Sequence, residues 1–156
     1  MGIFSLSYQI GAMIQPNEEE ATAFLEEFQE HIEDIDAVGI FLNNSTVSLP
    51  MFIPGFGIVW GLYSAWSTGF AFASIVSLTP QLAEIPPLAI LYLSPFGIIE
   101  LVVYSIAISR SYILIKIIVK KINLRLAIRP TLIEIGIALA LLFFGGYLEI
   151  LIIEID

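Results

Sequence analysis

Long apolar stretches separated by short polar breaks make up most of the chain. Residues 57–77 contain no charge and end before Thr79 and Pro80. A second stretch follows the turn at residues 94–97 and continues to about Val119, and a third follows Pro130 and continues to about Ile153. Because about 20 apolar residues suffice for a helix to cross a bilayer, the pattern predicts three full-length membrane helices.

Two shorter apolar segments lie between these stretches. Residues 38–52 are interrupted by polar side chains and Pro50, and residues 88–93 lie between two proline-containing turns. Irregular backbone at membrane depth has to pack against protein, where its amides find partners. The pattern therefore predicts an all-α, polytopic transmembrane helical bundle of about five membrane segments, two of them short or broken. Residues 2–14 are too short for a full span, so they form either a partial or tilted span or the remainder of a longer segment.

Residues 16–36 show a different pattern, in which apolar positions recur at helical spacing among many acids. Asn17 followed by Glu20 is typical of a helix N-terminus in which the two residues cap each other. The segment contains no Lys or Arg, so its acidic face would be repelled by anionic cytoplasmic lipid. We therefore predict an amphipathic surface helix on the outer side of the membrane.

Small residues occupy every fourth position of the longest stretch. On a helix this spacing forms a flat seam that lets another backbone approach closely, as small-xxx-small patterns do in membranes. Because the seam is longer than one partner within the chain would need, it predicts a homo-oligomer that Gly61→Leu or Gly69→Leu would break. The seam consists of Gly57, Gly61, Ala65, Gly69, Ala73 and Ser77.

Composition supports a membrane environment. The 156 residues are 58% hydrophobic and only 13% charged, against about 25% charged residues in soluble domains. Such a chain cannot cover its apolar surface with polar groups, so the lipid bilayer is its first expected partner. The length indicates one domain, residues 1–156. A net charge of −9 argues against nucleic acid as a partner, and the absence of cysteine excludes disulfides and thiolate sites.

Basic residues are confined to residues 110–129. The positive-inside rule places residues 116–129 on the cytoplasmic side of the cell membrane and the acidic residues 17–36 outside. Four-residue spacing within residues 112–129 favours an interfacial helix on the cytoplasmic leaflet. The basic residues of this segment are Lys116, Lys120, Lys121, Arg125 and Arg129.

Polar residues inside the apolar segments are the candidates for function, because ionisable groups at membrane depth are rare and usually face protein or water. Glu100 is the first of them, although a carboxylate in the first turn of a helix is also favoured by the helix dipole. Asn43 and Asn44 either cross-link helices or satisfy broken backbone. Glu149 pairs with Glu100, with one of the asparagines or with Arg110, or it lies at the outer interface.

Two further residues have simpler interpretations. Arg110 lies about 15 Å along the helix from Glu100, too far for a direct pair, so we expect it to snorkel toward the cytoplasmic side. Thr131 and Glu134 fit a capping box at the start of the last span. His31 is the single histidine, and one histidine on an acidic helix rarely binds a metal. No catalytic motif is present, so we expect no enzyme activity, no metal and no cofactor.

Three motifs in order resemble the stage II sporulation protein M family of integral membrane proteins. Residues 40–45, Ile-Phe-Leu-Asn-Asn-Ser, are similar to the family's F-x-x-N-N stretch, and residues 94–101, Ser-Pro-Phe-Gly-Ile-Ile-Glu-Leu, to its P-H-G-x-x-E-L. Residues 144–149, Phe-Gly-Gly-Tyr-Leu-Glu, resemble its late helix with a glutamate near the end. Phe96 stands where the family usually has histidine, so a polar or metal site built on that histidine would be incomplete here.

The resemblance implies a membrane scaffold, since sporulation members are thought to hold peptidoglycan-degrading partners, and it also implies an association of other members with transporters. We therefore expect a non-enzymatic scaffold or complex subunit that self-associates, with a further membrane protein or an ATPase as a possible partner. The alternative is a transport component, a permease or channel-like subunit, with a polar path near Glu100, Asn43 and Asn44. A membrane-embedded hydrolase is the weakest class.

Overall fold

A computed structural model describes residues 1–29 and 36–153, and these residues form helices joined by short turns, without a β-strand. The all-α prediction is confirmed for that part of the chain. Residues 30–35 of the predicted acidic helix, including His31, and residues 154–156 lie outside the described residues. In chain order the helices are α1 Gly2–Ala12, α2 Glu18–Gln29, α3 Ala37–Ser48, α4 Phe56–Leu78, α5 Pro87–Leu93, α6 Pro95–Val119 and α7 Arg125–Ile153.

Two of these helices are long and apolar enough to cross a membrane, namely α6 and, over Arg125–Leu151, α7. Only 33% of the apolar window of α6 and 22% of that of α7 is buried inside the bundle. A core helix of a soluble protein would be mostly buried, so these helices have the exposure expected of segments that face lipid. The other three predicted membrane segments and the surface position of the acidic helix are not confirmed and stay predictions.

The centre of the bundle is α4, which ends at Leu78 as its flanking Thr79 and Pro80 predict. Helices α1, α2 and α6 pack against it. At the crossing with α1, a methyl group on Gly69 would collide with the carbonyl oxygen of Tyr8, and one on Gly11 with that of Trp66. The two glycines therefore allow the backbones of α1 and α4 to touch.

The entry into α4 is a tight turn, preceded by a short 3₁₀ helix, Leu49–Phe52, that continues α3. Gly55 adopts a φ of 78°, a conformation open to glycine and strained for other residues. Ser111 of α6 forms two hydrogen bonds with the backbone of this turn. Its Oγ accepts from the Gly55 N–H at 3.0 Å and donates to the Ile53 carbonyl at 2.6 Å. We expect the irregular backbone of this segment to find hydrogen-bond partners in the surrounding protein. At this turn a side chain of another helix provides them.

Local capping signals explain most helix starts. Asn17 and Glu20 form the predicted reciprocal cap, with the Glu20 N–H 2.8 Å from Asn17 Oδ1 and the Asn17 N–H 3.3 Å from Glu20 Oε2. Asp36 belongs to the next helix, since it caps α3 by accepting from the Gly39 N–H. Ser94 caps α6. Because α6 begins at Pro95, Glu100 lies in its second turn, and the interpretation that places it in the first turn is wrong.

The start of the last helix differs from the sequence prediction. Helix α7 begins at Arg125 and continues through Pro130. Thr131 forms no capping box, because its Oγ1 donates to the Ala127 carbonyl at 2.7 Å, one turn back. Glu134, the other half of the predicted box, instead pairs with Arg110. The proline is accommodated near the start of the helix, where the lost hydrogen bond affects one early turn.

The basic segment is not one interfacial helix. Helix α6 ends at Val119, a turn follows in which Lys121 has a φ of 55°, and α7 starts at Arg125. Asn123 helps to start α7 by accepting from the Arg125 N–H at 3.0 Å. The basic side chains therefore lie on the end of α6, on the turn and on the first turns of α7, and all are exposed. They are Lys116, Lys120, Lys121, Arg125 and Arg129.

Candidate functional site

Asn44 and Glu100 meet between α3 and α6. The Asn44 Nδ2 donates a 2.8 Å hydrogen bond to Glu100 Oε1. The break in the apolar pattern of residues 38–52 brings the amide into the bundle, and the Ser94 cap sets the register of α6 so that Glu100 faces it. Hydrogen bonds to a carboxylate are stronger than those between neutral groups, so this contact links two helices with little other packing between them.

A second carboxylate belongs to the same neighbourhood. Glu149 of α7 interacts electrostatically with Glu100, and both interact with Tyr104, which lies one turn after Glu100 on α6 and is 7% exposed. The site therefore draws its residues from α3, α6 and α7. Two carboxylates in one neighbourhood repel each other when both are charged. Of the predicted neighbours of Glu149, the structure brings Glu100 close to it.

Asn43 does not belong to this site. Its side chain is exposed on α3, one residue before the bonded Asn44. Consecutive residues on a helix point about 100° apart, so both asparagines cannot face Glu100. Of the three residues of the predicted polar path, Glu100 and Asn44 are in contact and Asn43 is not.

Arg110 and Glu134 form a second polar pair, between α6 and α7. The Arg110 Nε donates to Glu134 Oε2 at 2.6 Å, and its Nη2 contacts Glu134 Oε1, so the guanidinium binds the carboxylate with two parallel bonds. The side chain of Arg110 is 10% exposed and that of Glu134 is 30% exposed. The expectation that Arg110 snorkels toward the cytoplasmic side is wrong, because its charge is neutralised within the bundle.

The sequence contains a signal for this pair that pattern analysis missed. Arg110 lies twelve residues before Ile122 and Glu134 twelve residues after it. Ile122 is in the turn between α6 and α7, and an antiparallel hairpin brings residues at equal distances from its turn to the same depth. Opposite charges placed symmetrically about a loop in an apolar sequence therefore predict an ion pair.

The small-residue seam of α4 is occupied within the chain. Five of its members are buried, and Ser77, at the end, is partly exposed and donates to the Ser74 carbonyl at 2.8 Å. Gly57 lies against the backbone of Met51, Gly61 against the side chain of Ile108 in α6, and Gly69 against α1. Three different segments thus pack against different parts of the seam. This explains why the seam is longer than one partner requires. Ala65 and Ala73, its other members, are buried in the same face.

The exposed apolar surface lies on α7. A methyl group on Gly136 would meet no atom within 4 Å, and Ala140, one turn further, is exposed. Large apolar side chains surround the two small residues on the same side of the helix. They include Leu132, Ile133, Phe143, Phe144 and Tyr147, each more than half exposed. We call this surface the open face of α7.

The fold and its polar pairs define a class: a helical bundle with two helices long and apolar enough to cross a membrane, each joined to a neighbouring helix by a polar pair. The family model described as stage II sporulation protein M matches residues 1–152, essentially the whole chain. The chain therefore belongs to the stage II sporulation protein M family. Searches against curated proteins and against solved structures give no match.

Proposed function

We propose that this protein is a non-enzymatic membrane scaffold, or a subunit of a membrane complex, that self-associates through the open face of α7. The open face supports the proposal most directly, because it combines two small residues at four-residue spacing with a broad apolar surround. In membranes such a surface lets a second helix approach closely. The α4 seam, the interface expected from sequence, is covered by α1, α6 and the 3₁₀ helix before α4.

The polar pairs support a structural rather than a catalytic role. Asn44 is bonded to Glu100, and Arg110 to Glu134. Each pair joins two helices, so these polar side chains hold the bundle together while lipid and partners meet its outside. The basic turn and the acidic α2 then serve as docking surfaces on opposite sides of the membrane, cytoplasmic for the basic turn. A peripheral ATPase or another membrane protein fits these surfaces as a partner.

Cysteine cross-linking tests the self-association, since the chain has no cysteine of its own. In a two-fold interface a residue that lies near the axis faces the same residue of the other copy. We expect Ala140→Cys, in native membranes under mild oxidation, to give a disulfide-linked dimer. The matched control is Val59→Cys on α4, which is 68% exposed but lies outside the open face. Equal cross-linking of both variants, or none of Ala140→Cys, would contradict the proposal.

A transport component is the second candidate, supported by the carboxylate pair of Glu100 and Glu149. Their electrostatic contact within the bundle suits a group that exchanges a proton or cation, as intramembrane acids do in transporters. Flux of protons or monovalent cations into liposomes that is lost in both Glu100→Gln and Glu149→Gln would favour this function over the scaffold. Flux that survives both substitutions would exclude the pair as its path.

A further inference from the structure

A groove opens between α1, α4 and α6 on the outside of the bundle. Its volume is about 660 Å³, and most of its lining is apolar, with Ile3 and Phe4 on one wall, Ile58 and Leu62 on the second, and Ile108 on the third. Sites for small ligands have volumes of about 300–1,000 Å³. The groove is thus large enough for a small ligand, and it is open to the outside of the bundle beside α6.

A cationic side chain lies next to one end of the groove. Tyr112 lines that end and is 50% exposed. One turn further along α6, the Nζ of Lys116 lies 4.4 Å from the centre of the Tyr112 ring, which is the distance of a cation–π contact. Lys120 follows after another turn and is exposed as well. Positive charge therefore lies beside the Tyr112 end of an apolar groove.

The distance from the inner end of the groove to Lys116 matches one leaflet of a bilayer. Ser105 lines its inner end, eleven residues before Lys116 on the same helix. At the helical rise this separation is about 16 Å, close to half of the roughly 30 Å hydrocarbon thickness. A molecule with an anionic head at Lys116 and a chain that reaches Ser105 would span that leaflet.

We propose that this groove is a binding site for one anionic phospholipid, with the phosphate at Lys116 and an acyl chain along α6 between α1 and α4. The charge beside the Tyr112 end and the apolar walls favour this occupant over a neutral lipid, which has no net charge for the lysine. The groove is separate from the open face of α7, so this proposal does not depend on self-association.

Native mass spectrometry with defined lipids tests the site. The protein is purified in detergent and mixed with phosphatidylglycerol or with phosphatidylcholine of the same acyl chains. We expect one phosphatidylglycerol per chain to be retained in preference to phosphatidylcholine. Lys116→Gln should weaken this retention about fivefold, the effect of one lysine at an anionic surface. Lys121→Gln, which removes the same charge on the turn, should leave it within about twofold of the wild type.

A second variant separates the groove from general charge. Ser109→Trp places a large side chain at an exposed position of the lining and keeps the charge unchanged, so it should reduce retention as strongly as Lys116→Gln. Circular dichroism and the monodisperse elution of each variant verify the fold. Equal losses in Lys116→Gln and Lys121→Gln, unchanged retention in Ser109→Trp, or equal retention of the two lipids would each overturn the proposal.

Discussion

Adding one methyl group at Gly69 should destabilise the bundle at the crossing of α1 and α4. In Gly69→Ala the new carbon would collide with the Tyr8 carbonyl oxygen and would lie 2.9 Å from the Ala12 nitrogen, where ordinary contact begins at 3.4 Å. Both obstacles are backbone atoms, so no side chain can rotate away. The helices must separate by roughly an ångström or more to clear the Tyr8 oxygen, a gap that forfeits about half of each van der Waals contact across it.

We expect the substitution to lower the free energy of unfolding by about 1–3 kcal/mol, the range for overpacking a well-filled interface. The 2.7 Å bond from Ser7 Oγ to the Leu62 carbonyl lies near the same crossing and would lengthen too. Unfolding by added sodium dodecyl sulfate in mixed micelles measures the change. Tryptophan fluorescence reports it locally, since both tryptophans of the chain, Trp60 and Trp66, lie on α4.

The matched control is Gly136→Ala on α7, where the added carbon meets nothing within 4 Å. It makes the same chemical change in a helix and should leave stability equal or slightly higher, because alanine is the better helix former by about 1 kcal/mol in water. If Gly69→Ala were no less stable than Gly136→Ala, the close crossing of α1 and α4 would be refuted.

Two further predictions concern the polar pairs. Asn44→Ala removes the donor to Glu100. It should lower the free energy of unfolding by about 0.6–1.7 kcal/mol in the same assay, which is the contribution of an interhelical hydrogen bond in a membrane. Asn43→Ala should leave stability unchanged, and equal effects of the two variants would contradict the assigned contact. Arg110→Met leaves Glu134 charged without a partner and should lower stability by about 3–5 kcal/mol. The double variant with Glu134→Met should recover most of that loss, and a double variant as unstable as the single one would argue against the ion pair.

Sequence patterns predict the features of this fold that depend on local chemistry. The end of α4 follows from Thr79 and Pro80, and the start of α2 from the mutual cap of Asn17 and Glu20. Each depends on residues within one or two turns of one another. Sequence analysis could therefore identify them without knowing how the helices pack.

Features that depend on tertiary contacts escaped the same analysis. Thr131 and Glu134 have the spacing of a capping box, but a threonine hydroxyl can equally bond the carbonyl four residues back, and the nearby guanidinium of Arg110 offers Glu134 a stronger partner than a backbone N–H. The spacing of small residues on α4 indicates a surface for close helix packing. It does not indicate which segments pack there, α1 among them. Packing, which decides between such alternatives, is not encoded in any one segment.

The mass of the native complex tests the central claim, that the bundle self-associates through the open face of α7. The protein is extracted gently and weighed by native mass spectrometry, alongside Gly136→Leu and Gly136→Ala. We expect a defined homo-oligomer for the wild type and for Gly136→Ala, and a folded monomer for Gly136→Leu, because only the leucine prevents close approach. A monomeric wild type, or an oligomer unchanged by Gly136→Leu, would contradict it.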